Sequence, residues 1–205
     1  MTTYIVFVLD ETGSMSSVKD DTIGGFNTYI EDLERELKDV NFSLMKFDST
    51  HKTWVYKGVE TKYVKPLNEN TYTPGAWTPL WDAFASGIHR AEEQDIKEGD
   101  KVIISVLTDG QENDSKEFTR EDVKALIAKH PDWAINFLGA NMDAWDDVGR
   151  GLGMSIGSTL TFDQSDMVGT FNAVSRSTVA YAKGETTVDT FYKESDTVES
   201  TQKQA

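Results

Sequence analysis

The chain has 205 residues, a formal net charge of −15 and no cysteine. Such an acidic surface repels nucleic acids and anionic membranes, so we expect neither as a partner. The lack of cysteine excludes disulfides and thiolate metal sites. The apolar runs fall short of the roughly 20 residues that span a bilayer, and the N-terminal run lacks the basic flank of a signal peptide. We therefore expect one globular domain that works in the cytoplasm.

Nearly continuous apolar runs predict strands that are buried on both faces of a sheet. Three of them extend from Tyr4 to Leu9, from Val102 to Leu107 and from Trp133 to Leu138. A weaker, alternating run extends from Met154 to Phe162. Strands of this kind are typical of parallel sheets, because helices cover both faces of such sheets.

A hairpin is predicted after the first strand. Asn41 to Phe47 and His51 to Lys57 are strand-like runs that are joined by Asp48-Ser49-Thr50. A connection this short permits only antiparallel pairing. One edge of the otherwise parallel sheet should therefore be antiparallel.

Apolar residues at helical spacing predict helices between the strands. One helix carries Val123 and Leu126, with Thr119 as its N-cap and Asp122 completing a short-armed capping box. The other helices are expected from about Ser16 to Lys38, after Pro79, and from about Ser165 to Lys183 with Gly184 at the end.

The alternation of strands and helices predicts an α/β fold of the doubly wound, Rossmann-like kind. This is a three-layer sandwich with a mostly parallel central sheet of about six strands and one antiparallel edge strand. We assign residues 1–184 to this domain. Residues 185–205 are rich in Thr, Ser, Glu and Lys, and we expect a flexible polar C-terminal tail there.

Two acidic residues follow predicted parallel strands. Asp10 comes directly after the first apolar run, and Asp109 follows the run that ends at Leu107. Parallel strands end at the same edge of a sheet, where ligands bind in open α/β folds. We therefore expect both carboxylates in one crevice.

The segment DETGS, residues 10–14, suits a hard cation. Asp10, Thr12 and Ser14 are two residues apart, so their oxygens can converge on one point in a loop. Mg²⁺ prefers about six oxygen ligands, often including water. If the carboxylates act through water, the ion keeps its affinity for an anionic oxygen from outside. The alternative is a plain helix N-cap and turn.

The segment TPGAWTPLWDAF, residues 73–84, supplies a third polar loop before a helix. With it, the chain resembles the von Willebrand factor type A (vWA) domain over roughly residues 3–183. The family carries a metal-ion-dependent adhesion site in three pieces: D-x-S/T-x-S, a Thr before a Pro-Leu pair, and an Asp-Gly. Here the pieces match Asp10, Thr12 and Ser14; Thr78; and Asp109 with Gly110.

The resemblance implies roles for these residues. Thr12 and Ser14 would ligate a metal directly, Thr78 would do so in the ligand-competent state, and Asp10 and Asp109 would act directly or through water. The metal would be Mg²⁺, with Mn²⁺ or Ca²⁺ as alternatives. A partner protein would supply an Asp or Glu side chain as the last ligand. A chain with one such domain and little else resembles stand-alone bacterial or phage members.

Two other functions stay open at this point. Some phosphohydrolases place a nucleophilic Asp after the first strand with Mg²⁺, but they carry a second acid where this chain has Thr12. We therefore do not expect an enzyme. The other alternative is a vWA scaffold without metal.

Several neighbours of the motif have open roles. Trp77 would wall the metal, contact the partner or simply pack the loop. Asp82 suits the N-terminus of its helix. Further polar residues would rim the crevice, although such residues are common in exposed loops: Glu11, Glu112, Asn113, Asp114, Asn141 and Asp143.

Overall fold

The computed structural model describes residues 1–140, 144–162 and 164–192. The described residues form six strands in one sheet. These strands are β1 (Thr3–Asp10), β2 (Val40–Phe47), β3 (Lys52–Val59), β4 (Lys101–Thr108), β5 (Ala134–Ala140) and β6 (Thr159–Phe162).

The strand order is β3-β2-β1-β4-β5-β6. Four of the neighbouring pairs are parallel, and β3 pairs antiparallel with β2 at one edge. The predicted doubly wound sheet with one antiparallel edge strand is thereby confirmed. β1 and β4 lie side by side in the centre, so the chain ends that follow them are neighbours.

Helices cover both faces of the sheet. They are α1 (Lys19–Glu36), α2 (Leu80–Glu92), α3 (Arg120–Ala128), α4 (Arg150–Leu152) and α5 (Met167–Ala182). A 3-10 helix, Gly13–Val18, precedes α1, and a π-helical turn, Ala144–Gly149, precedes α4. Among the described residues, no helix has the length and apolarity needed to cross a membrane.

Alternate residues of β1 enter two separate halves of the core, because successive side chains in a strand point to opposite faces. Phe7 packs with α1 and α5, and its ring stacks on that of Phe171 with centroids 6.2 Å apart. Val8 packs on the other face with α2 and α3. The three-layer arrangement follows from this division.

The predicted helix ends agree with the structure at α3 and α5. Thr119 and Asp122 form the reciprocal capping box at the start of α3. Gly184 adopts a positive φ of 76° just after α5, a conformation that favours glycine.

The structure corrects the start of the last strand. β6 begins at Thr159, and a short 3-10 helix, Ile156–Ser158, occupies the region where the strand was predicted to start. In a strand, Met154 and Ile156 would share a face. In the structure Met154 is buried and Ile156 is exposed, so the apparent alternation was misleading.

The packed chain continues past Gly184, the predicted end of the domain. A 3-10 helix, Val188–Thr190, leads to Phe191 and Tyr192, which are 1% and 3% exposed. The Tyr192 N–H donates to the Gly157 carbonyl oxygen at 2.7 Å. The expected tail therefore differs from the structure over residues 185–192, and its remainder, 193–205, lies outside the described residues.

Candidate metal centre

The structure brings the five predicted ligands to the carboxyl edge of the sheet. Asp10 is the last residue of β1, and Asp109 directly follows β4, the neighbouring parallel strand. Thr12 and Ser14 lie in the loop that follows Asp10, and Thr78 lies two residues before α2. Three segments that are far apart in the sequence therefore meet at one place.

Short distances connect the oxygen atoms of these residues. The Ser14 hydroxyl donates to Asp109 Oδ1 at 2.5 Å, and Ser14 Oγ lies 3.4 Å from Thr12 Oγ1. A Cβ atom placed on Gly110 would lie 2.8 Å from Thr78 Oγ1 and 3.7 Å from Ser14 Oγ. The glycine thus allows the Thr78 loop to approach the other two segments.

Asp10 is completely buried at the base of this group. Its carboxyl pKa is raised to about 7. Burial is the main cause and the nearby charge of Asp109 also raises the pKa, whereas hydrogen bonds from Thr108 and Thr12 lower it. One carboxylate oxygen accepts from the Thr12 N–H at 2.6 Å and the other from the Thr108 hydroxyl. A cation beside Asp10 would favour the ionised carboxylate.

The donor set fits a hard divalent cation. Mg²⁺ binds oxygens octahedrally at 2.0–2.1 Å, which places neighbouring ligand oxygens about 3 Å apart. The separations of 2.5 and 3.4 Å around Ser14 Oγ bracket that value. In the described ranges, no three His, Cys, Asp or Glu side chains cluster as a metal site. Hydroxyl groups would therefore have to complete the coordination at this edge.

The loop that carries Thr78 is fixed against the loop that follows β1. The Gly13 N–H donates to the Ala76 carbonyl at 3.1 Å, and the Gly75 N–H donates to the Glu11 carbonyl at 2.9 Å. Ala76 has a φ of 59°, which is unfavourable for a residue with a side chain. Strained backbone of this kind persists where the surrounding contacts hold it.

Asn113 fixes Thr78 from the other side. The Thr78 N–H donates to Asn113 Oδ1 at 2.8 Å, and the Asn113 N–H donates to the Thr78 carbonyl at 3.1 Å. Glu112 accepts from the Trp81 N–H at 3.1 Å in the first turn of α2, and Asp114 accepts from Lys116 at 2.6 Å. Of these three residues, which were expected at the crevice rim, Asn113 and Glu112 contact the start of α2 and the segment that leads into it, whereas Asp114 contacts a residue of its own loop.

Glu11 also differs from the expected rim position. Its side chain is completely buried and accepts from Lys46 Nζ at 2.7 and 2.9 Å and from the Thr73 N–H at 2.6 Å. His51 Nε2 lies 3.1 Å from the same carboxylate. Glu11 therefore connects the loop after β1 to β2, to the β2–β3 hairpin and to the Thr78 loop.

Asp82 was expected to interact with the dipole of α2, and in the structure it also binds the backbone of another loop. It is 4% exposed and accepts hydrogen bonds from the backbone N–H groups of Lys116, Glu117 and Phe118 at 2.8–3.0 Å. It thereby anchors the segment that leads from the Asp109 loop to α3.

Sequence reasoning missed two residues that hold Asp10. Thr108 donates to its carboxylate, and the Tyr72 hydroxyl donates to its backbone carbonyl at 2.6 Å. Thr108 directly precedes Asp109, so its position at a strand end was a usable signal. Tyr72 lies 62 residues from Asp10, and nothing in the sequence links the two.

Trp77 does not pack the loop, because its side chain is exposed. The residue is 66% exposed, while its backbone is held by Ser49. Asn141 and Asp143, which the sequence placed at the rim, lie outside the described residues.

A doubly wound, mostly parallel sheet of six strands with hydroxyls and carboxylates gathered at its carboxyl edge defines a vWA-type domain. The chain belongs to the von Willebrand factor type A domain family, whose family model matches residues 5–167. A search of curated proteins gives no match to the chain.

Solved structures of similar fold include three relatives. The vWF domain of the type V pili tip protein of Porphyromonas gingivalis has a TM-score of 0.68 at 10% identity, over 88% of this chain and 96% of that one. Proximal thread matrix protein 1 from the mussel byssus, with a zinc-occupied MIDAS motif, has a TM-score of 0.60 at 16% identity, over 88% of this chain. Manganese-loaded TRAP protein of Plasmodium vivax has a TM-score of 0.55 at 13% identity, over 82% of this chain and 70% of that one.

The likeness to these structures shows the fold. The chain spans 46% of the length of the mussel protein.

Proposed function

We propose that this chain is a metal-dependent protein-binding module. Asp10, Thr12, Ser14, Thr78 and Asp109 hold a divalent cation, and an Asp or Glu side chain of a partner protein completes its coordination. Mg²⁺ is the proposed ion, with Mn²⁺ or Ca²⁺ as substitutes. The partner carries basic surface around its acidic ligand, because the net charge of −15 on this chain disfavours an acidic protein.

One observation carries the proposal. Oxygen donors from three separate loops converge. Ser14 Oγ lies 2.5 Å from Asp109 Oδ1 and 3.4 Å from Thr12 Oγ1, and a Cβ placed on Gly110 would lie 2.8 Å from Thr78 Oγ1 and 3.7 Å from Ser14 Oγ. Bound here, a divalent cation supplies an electrophilic centre that attracts a carboxylate. The chain itself holds the hydroxyls in place through the Thr78–Asn113 hydrogen bonds and through the contacts of Ala76.

The environment of Asp10 supports binding over catalysis. The residue is completely buried, whereas a nucleophile has to be accessible to its substrate. Thr12, at the position where a phosphohydrolase places its general acid, has no acidic proton to give at neutral pH.

Calorimetric titration tests the metal site. We expect Mg²⁺ and Mn²⁺ to bind the wild-type chain, and we expect Asp10→Asn and Thr78→Ala to lose that binding while their far-UV circular dichroism stays unchanged. Thr28→Ala, at an exposed position on α1, is the matched control and should bind as the wild type does. The absence of binding to the wild type at millimolar metal would refute the proposal.

Metal-dependent capture tests the binding of proteins. We expect the immobilised chain to retain partner protein from its natural source in Mg²⁺ and to release it in EDTA. Thr78→Ala should retain none. Retention that is equal in Mg²⁺ and EDTA would contradict a role for the cation.

A further inference from the structure

We propose that Trp77 is a second recognition point beside the metal centre and that its indole ring stacks on a lysine or arginine side chain of the partner. This cationic side chain lies next to the partner's acidic metal ligand in sequence. The inference rests on the proposed function and adds to it the chemistry of the bound segment.

Trp77 is the sequence neighbour of a proposed metal ligand. Trp77 directly precedes Thr78, so the two Cα atoms are about 3.8 Å apart. The Thr78 side chain is buried in the centre, whereas Trp77 is 66% exposed. A partner segment whose carboxylate reaches the metal therefore has its neighbouring side chains close to the indole.

The backbone of Trp77 is held rigidly although its side chain is in solvent. Its N–H donates to Ser49 Oγ at 3.1 Å, and its carbonyl accepts from the Ser49 N–H at 3.0 Å. The preceding Ala76 is held at a φ of 59°, and the following Thr78 is held by Asn113. An ordered backbone lowers the entropy cost of binding at this residue.

The other large side chains of this loop region are used for packing, and Trp77 is the exception. Tyr72 is completely buried, and Trp81 is 8% exposed and lies under the Arg120 guanidinium. Exposed tryptophan is enriched at the centres of binding sites, because it offers a large rigid surface. The held backbone with a free ring is therefore suited to contact a partner.

The charge of the chain selects the class of side chain that the ring would contact. The sequence has 35 acidic and 20 basic side chains, so a cation approaching the surface is attracted over a long range. The face of tryptophan binds ammonium and guanidinium groups better than the other aromatic rings do. A lysine or arginine beside the acidic ligand gains from both effects.

A random peptide library tests this inference. The library is displayed on phage and bound to the immobilised wild-type chain in Mg²⁺ and about 0.15 M salt. At this ionic strength, charges are screened beyond about 8 Å. Bound phage are then eluted with EDTA. We expect the eluted peptides to contain Asp or Glu with Lys or Arg within two positions. For a selected peptide, replacing that cationic residue with Ala should weaken binding roughly two- to fivefold.

Two variants separate the ring from general charge. Trp77→Leu keeps an apolar side chain but lacks the aromatic face, and it should select acidic peptides without the cationic neighbour. Tyr63→Ala is the matched control, because Tyr63 is also an exposed aromatic residue, at 61%. It lies in the 3-10 helix Thr61–Tyr63, which follows the end of β3. That end of β3 pairs with the start of β2, whereas the candidate metal centre lies where the parallel strands end. The Tyr63→Ala variant should select the same peptides as the wild type.

Each other outcome has a definite meaning. Acidic peptides without a cationic neighbour on the wild type would overturn the inference and leave the proposed function intact. A cationic preference that persists in Trp77→Leu would overturn it as well, since charge alone would explain the preference. The absence of any EDTA-eluted peptide would overturn the proposed function and this inference together.

Discussion

Glu11 lies between two predicted metal ligands in the sequence, but its side chain has a different environment from theirs. Asp10 and Thr12 lie at the candidate metal centre, whereas Glu11 is buried against Lys46, whose side chain is 12% exposed. The proposed ligands can be named from the sequence because their spacing is a recurring pattern. The sequence could not predict the role of Glu11, because Lys46 and the Thr73 N–H approach it only in the folded chain.

Glu11→Gln should destabilise the fold. The substitution leaves Lys46 buried without its charged partner, and we expect the free energy of unfolding to fall by about 3 kcal/mol. Urea denaturation of Glu11→Gln, Lys46→Met and the double variant measures the coupling between the two side chains. A double variant that loses the sum of the two single losses would show that the pair contributes no interaction.

Gly110→Ala should weaken metal binding with little change in stability. Its new Cβ atom would lie 2.8 Å from Thr78 Oγ1, so the hydroxyl has to move away from the other donors. We expect the affinity for Mg²⁺, measured by calorimetry, to fall about 10- to 100-fold. Gly75→Ala is the control, because a Cβ there meets no atom within 4 Å; an equal loss in both variants would contradict the steric explanation.

At the scale of elements, periodicity predicted most of the fold. The apolar runs became β1, β4 and β5, and the short connection after β2 became a hairpin, because each pattern depends on local geometry and burial alone. The predicted start of β6 was wrong. The alternation of apolar and polar residues from Met154 is also compatible with a turn, and in the structure this turn buries Met154 and exposes Ile156. Such a case is decided by tertiary packing.

Two adjacent glycines in α1 should respond oppositely to alanine. A Cβ on Gly25 would lie 2.2 Å from Phe171 Cδ2, where α1 meets α5, whereas a Cβ on Gly24 meets nothing within 4 Å. We expect Gly25→Ala to lower the free energy of unfolding by about 1–3 kcal/mol and Gly24→Ala to raise it by up to about 1 kcal/mol. Thermal denaturation of both variants checks this; similar shifts would show that the helix contact adjusts freely.

At the scale of the whole molecule, the segment after α5 belongs to the core. Phe191 contacts Tyr181, with ring centroids 5.7 Å apart, and Tyr192, with centroids 5.0 Å apart. The composition of residues 185–205 indicated a solvated tail, because two aromatic residues among many polar ones carry little weight in a composition argument. The path of this segment requires glycine at position 157. A Cβ on Gly157 would lie 2.0 Å from the carbonyl oxygen of Asp189.

Phe191→Ala should destabilise the whole domain. Removing a fully buried aromatic ring costs about 3–5 kcal/mol in a core that does not collapse around the cavity. Ile156→Ala is the control, since this residue is 68% exposed and its loss should change the free energy of unfolding by less than about 0.5 kcal/mol. Urea denaturation measures both, and equal midpoints for the two variants would show that the segment is dispensable.

The burial of Phe191 and Tyr192 also affects where the C-terminal end of the domain should be set. The family match ends at residue 167, where α5 has only begun. A fragment cut at that position would keep every proposed metal ligand and yet lose Phe171, Tyr181 and Phe191 from the layer that covers Phe7. We therefore expect the folding unit to reach Tyr192. Loss of magnesium binding in a shorter fragment would then reflect lost packing and would not identify the residues that bind the metal.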